Sequence, residues 1–134
     1  MPMNARGLQQ YKEQSLNTMT QGELLLLLLD ELVKRLLRGE LALEQGDLDL
    51  FEASIDRCLA IVWYLDDTLD RRFAISRELH RLYDFFGYDL NRIKIGRNKQ
   101  ELGRLKPLIT DLRDSFRAAE QTAAEERGGG HGST

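Results

Sequence analysis

Two histidines, one cysteine and a group of aspartates are the side chains here that could support catalysis, metal binding or redox chemistry. A di-iron site on a helical scaffold needs two Glu-x-x-His pairs. The residue three before His80 is Arg77, and His131 lies in a glycine-rich tail, so neither pair exists. Zinc would want a set of nitrogen and sulfur ligands that Cys58 and two distant histidines do not supply. Asp66, Asp67 and Asp70 could act as acid–base carboxylates, but they crowd the end of an expected helix, where a solvated cluster is the simpler reading. Cys58 falls on or beside an apolar stripe, which favours a small buried hydrophobe over a nucleophile. No glycine-rich phosphate loop precedes a helix. The expectation is a protein that is not an enzyme and carries no metal or cofactor.

Charge narrows the partners. The chain has 134 residues and a mixed net charge of −3, which gives no global pull towards nucleic acid or membrane. Arg92, Lys94, Arg97, Lys99, Arg104 and Lys106 form a local basic stretch. It lacks interleaved exposed aromatics and a recognition helix, and complementing the carboxyl end of a helix explains it. The amino terminus lacks the apolar core of a signal peptide, and a lone cysteine suits a reducing compartment. Together these predict a cytoplasmic protein with no nucleic-acid partner and no membrane insertion.

The elements that must position any site are helical. Residues 1–20 read as a flexible arm, with isolated apolar points at Leu8, Tyr11 and Leu16 and room for a short extra helix around Tyr11. Thr20 and Glu23 make a capping box, opening a helix from about Gly22 to Gln45 that Gly46-Asp47 breaks. Steps of three and four from Leu48 through Phe51, Ile55, Leu59 and Val62 to Leu69 predict a second helix ending near Asp70. A third spans about Ile75 to Ile95, stopped by Gly96. Asn98 with Glu101 starts a fourth, on which Leu102, Leu105, Ile109, Leu112, Phe116 and Ala119 recur. Pro107 lies inside that pattern, so this helix is expected either to kink between Gly103 and Pro107 or to start late. Residues 127–134 read as a disordered glycine-rich tail. Short connections between four periodic segments predict an all-α antiparallel four-helix bundle over 21–126.

Two segments ask for more than a core. Six successive leucines, Leu24 to Leu29, point in every direction around the first helix, so its first two turns have no polar face. A membrane span needs about 20 apolar residues, and Asp30-Glu31 ends the run early. Cover must come from the fold or from a partner. In Leu82-Tyr83-Asp84-Phe85-Phe86-Gly87-Tyr88, one bundle stripe accounts for Phe86, while Tyr83, Phe85 and Tyr88 leave core packing and a partner groove both open. Gly87 costs about 1 kcal/mol in mid-helix, which predicts a second backbone passing close by.

With these residues in view, the chain resembles the flagellar secretion chaperones of the FliS family. The resemblance runs through an early tyrosine (Tyr11), then Leu16, Thr18, Thr20, Glu23, Leu24, Leu28 and Asp30. It continues in Leu82-Tyr83-Asp84-Phe85 with Asn91 further along, and in Leu112-Arg113-Asp114-Ser115-Phe116. Gln21, Leu29 and Phe116 stand where the family usually has proline, an aromatic and tryptophan. The resemblance implies a bundle that binds the carboxyl-terminal helical segment of flagellin in apolar grooves, keeps it from polymerising early and brings it to the flagellar type III export gate. It implies an arm whose tyrosine, here Tyr11, covers part of a groove when the client is absent. The side chains expected to bind are Tyr11, Leu16, Thr18, Leu24, Leu27, Leu28, Tyr83, Phe85, Tyr88 and Asn91. A monomer or weak homodimer is expected. The competing readings are another helical secretion chaperone or adaptor, and a structural bundle that self-assembles through the leucine helix.

Overall fold

A computed structural model describes residues 19–132 of the chain. They form four helices: α1 Gln21–Gln45, α2 Leu48–Asp67, α3 Ile75–Gly96 and α4 Lys99–Gly132. α1 packs on α2 and α4, and α3 packs on the same two, so α1 and α3 lie across a diagonal of an antiparallel bundle.

Local chemistry sets most of the helix ends. The Thr20 hydroxyl accepts from the Glu23 amide at 3.1 Å, and Asp47 and Asn98 do the same for Leu50 and Glu101 at 3.1 and 3.0 Å. Each cap satisfies an amide that has no partner inside its helix. Gly46 takes the left-handed conformation with φ 75°. The Asp47 amide then reaches Ala42 O and the Gly46 amide Leu43 O, which closes α1 with a Schellman turn.

Three boundaries depart from the sequence reading. α2 stops at Asp67, short of Asp70. Thr68 turns its hydroxyl onto the Tyr64 and Leu65 carbonyls, and Asp70 leaves the helix to bind Arg72 at 2.6 Å. That guanidinium holds the Asp70 carboxyl down at about 2. α3 includes Gly96, and the left-handed residue is Arg97, with φ 49°. This conformation costs a side-chain-bearing residue about 1–2 kcal/mol. Arg97→Gly is therefore expected to raise stability by about 1 kcal/mol in urea unfolding. α4 starts at Lys99 and runs through Pro107, so the late start does not occur. The proline leaves the Gly103 carbonyl without its usual amide, but Gly103 is exposed and water can serve it. α4 also extends past Glu126 to Gly132, although glycine costs a helix about 1 kcal/mol per residue.

The core is one cluster. Leu29, Leu32, Leu36, Phe51, Ile55, Val62, Tyr83, Phe86, Leu90, Ile93, Leu102 and Ile109 are fully buried in it. Cys58 belongs to the same cluster, with burial pushing its thiol up to about 12. It is expected to resist alkylation at pH 8 in the native protein and to react only on unfolding. On α4, Ala119 is exposed and Glu120 takes the inward position against Gly22. A straight helix drifts by about 20° per heptad, which moves a seven-residue stripe off register after several turns.

Candidate binding groove

Among the described residues, the bundle is open at the end where α1 begins, α2 finishes and α3 begins. A groove of about 540 Å³ lies there, within the range of about 300–1,000 Å³ usual for ligand sites. Leu24, Leu25 and Leu28 line it from α1, Tyr64 and Leu65 from α2, Leu69 and Phe73 from the turn, and Leu79 and Tyr83 from α3. The polar rim is Gln21, Thr68 and the Asp70–Arg72 pair.

The leucine run behaves differently from a core. Only Leu29 of the six is fully buried; Leu24, Leu25, Leu26 and Leu28 are half-buried and Leu27 is 41% exposed. Phe73 is 61% exposed and Tyr64 49%. At about 25 cal/mol per Å² of apolar surface, leaving this many large side chains wet forgoes several kcal/mol. Among the described residues, nothing supplies the full cover that the leucine run calls for.

The groove collects Leu24, Leu28 and Tyr83 from the residues singled out in the sequence. Leu27 projects beside it. Phe85 and Tyr88 are exposed on the outer side of α3, Tyr88 beneath the Arg92 guanidinium at 5.8 Å. Asn91 donates to Gly87 O at 3.1 Å, a bond within its own helix. Tyr11, Leu16 and Thr18 lie outside the described residues. Sequence reasoning names Leu25 only within the leucine run and misses Tyr64, Leu69, Phe73 and Leu79 as groove residues. Phe73, an aromatic set in the polar turn Asp70-Arg71-Arg72, was the one legible signal among them.

One polar detail also differs from expectation. Asp66 is not part of a solvated cluster: its Oδ1 lies 2.6 Å from His80 Nδ1, tying α2 to α3 behind the groove. Tyr83 keeps its hydroxyl buried and without a partner, and burial, with Asp66 adding to it, pushes that hydroxyl up to about 12. The close neighbour of Gly87 is a side chain: a methyl group there would run into the ring of Trp63, 2.7 Å from Cζ2. Trp63 is the only tryptophan. Gly87→Ala is expected to push the ring towards water and shift its fluorescence to longer wavelength.

Among the described residues no three His, Cys, Asp or Glu side chains gather as metal ligands, and no helix is long and apolar enough to cross a membrane. What the site offers is a concave apolar surface with a few polar groups at its edge, suited to binding an apolar face of another segment.

The profile of the family described as "Flagellar protein FliS" matches residues 3–123. The chain belongs to this family. A FliS relative, the flagellar secretion chaperone FliS of Bacillus subtilis (strain 168), is 28% identical over 122 residues, covering 91% of this chain and 92% of its own. The FliS match takes in the whole groove and every buried core residue. It also takes in residues 3–18, ahead of the described residues.

Proposed function

We propose that this protein is a flagellar secretion chaperone whose client is the carboxyl-terminal helical segment of flagellin. The observation that carries the reading is the half-exposed leucine run around an open apolar groove, in a chain of the FliS family. A segment disordered alone can fold as a helix against such a surface, losing ordering entropy and gaining buried area. Helix-in-groove recognition uses anchors at three- and four-residue steps. In this reading Leu24, Leu28 and Phe73 receive them, Tyr83 backs the lining from the core, and Leu27, Phe85, Tyr88 and Asn91 extend the contact outside the groove. Holding flagellin this way keeps it unpolymerised in the cytoplasm until it reaches the export gate. The chaperone works as a monomer or weak homodimer.

The arm fits as a removable cover. It joins α1 at Thr20, directly before Gln21 and Gly22 on the groove rim. Leu8, Tyr11 and Leu16 can fold back from there to shield Leu24 to Leu29, with Thr18 at the base. The test is flagellin polymerisation followed by light scattering. One equivalent of this protein is expected to suppress filament growth and to elute with flagellin as a one-to-one complex. Undiminished growth and separate elution would refute the reading.

A further inference from the structure

The seam between α1 and α4 is stitched by ion pairs in which α1 brings the acid and α4 the base. Asp30 meets Arg113 and Arg117 at 3.4 and 2.9 Å, and Glu40 meets Lys106 at 3.0 Å. At the groove end the polarity reverses. There α4 supplies a carboxylate, Glu120, and α1 supplies Gly22, the second residue of the helix. The Glu120 side chain is 16% exposed, and Arg127 holds its Oε1 at 3.0 Å. Its Oε2 lies against Gly22, in the place a side chain there would take: a Cβ would fall on that oxygen, 2.9 Å from Cδ. The first-turn amides of a helix carry partial positive charge, so a carboxylate beside them is favourable.

We propose that Glu120 is a positioning residue for the client groove, pinning the first turns of α1 to α4 through its seat on Gly22. Those turns carry Gln21, Leu24, Leu25 and Leu28, one whole wall of the groove. They are held weakly by packing, since none of residues 21–28 is fully buried. Leu29 is the first residue of α1 anchored in the core. Glu120 does not line the groove, so it acts through α1 and not by touching a client. The effect on binding rests on the reading of this groove as the flagellin site; the pin itself does not.

Titration calorimetry with the carboxyl-terminal helical segment of flagellin reads the effect on binding in the full chain. Glu120→Ala is expected to weaken binding by about fivefold, the size of one charge beside a helix end. Gly22→Ala should weaken it equally, because the methyl displaces the carboxylate. Alanine is also the better helix former, so the melting temperature of Gly22→Ala should hold or rise. A contact that only stabilised the fold would make affinity and melting temperature fall together. The double variant should bind no worse than either single variant, since both changes break one contact. Wild-type affinity in Glu120→Ala, or losses that add in the double variant, would overturn the proposal.

Amide exchange on the free protein reads the pin without a client. In Glu120→Ala the amides of Leu25 to Leu28 should exchange about fivefold faster than in the wild type, with those of Leu32 to Leu36 unchanged. Equal protection of Leu25 to Leu28 in both proteins would overturn the proposal. A wild type that gives no heat with the flagellin segment would refute the proposed function instead, and the exchange result would still decide whether Glu120 holds α1.

Discussion

Replacing Leu24 and Leu28 together by glutamate is expected to weaken binding of the flagellin carboxyl-terminal segment by a hundredfold or more, while the bundle stays folded. Each leucine is half-buried in the free protein and lines the groove, so a client can bury what remains. Completing the burial of a leucine contributes up to about 1.5–3 kcal/mol, and burying a carboxylate without a partner costs more. Two such changes exceed about 3 kcal/mol, and each 1.4 kcal/mol is about tenfold in affinity. The bundle should tolerate them because Leu29, Leu32 and Leu36 hold α1 to the core from the next turns. Circular dichroism checks the fold and titration calorimetry the affinity. Wild-type affinity in a folded double variant would move the client off this groove.

Gly39→Leu is expected to cost about 3 kcal/mol and lower the melting temperature by about 10 °C. Gly39 is buried where α1 meets α2. A Cβ there would sit 3.3 Å from Ile55 Cδ1 and 3.4 Å from Ser54 Cβ. A single methyl is tight but is helped by about 1 kcal/mol of helix propensity, so Gly39→Ala should be close to neutral. The further carbons of leucine would run into the side chains of Ile55 and Ser54. The cost is large against the 5–15 kcal/mol that holds typical domains folded. An unchanged melting temperature for Gly39→Leu would show that the two helices are not in close contact there.

These two glycines mark what the sequence made legible. Gly87 could be flagged from local cost alone, since glycine in mid-helix is unfavourable wherever it falls. The partner could not be read, because the ring of Trp63 reaches Gly87 only through the register of α2 on α3. Gly39 carries the same local cost inside α1, and its tight contact with Ile55 cannot be read from sequence either. Capping chemistry was readable at Thr20, Asp47 and Asn98 because it depends on residues three apart. The pairing of Asp66 with His80 was not, being a contact between helices 14 residues apart. Pro107 was weighed as a break because its exposure is a tertiary fact. Of the candidate site, the leucine run and Tyr83 could be found from periodicity and excess apolar character. Tyr64 joins the groove from the last turns of α2 and Phe73 from the turn that follows, placements set by how the helices pack and not by periodicity.

The most direct test of the central claim is isothermal titration of this protein with the carboxyl-terminal helical segment of its flagellin at several temperatures. Saturable one-to-one binding with a strongly negative heat-capacity change is predicted, the signature of a segment folding into an apolar groove. No heat at any temperature, with the protein folded throughout, would contradict the account.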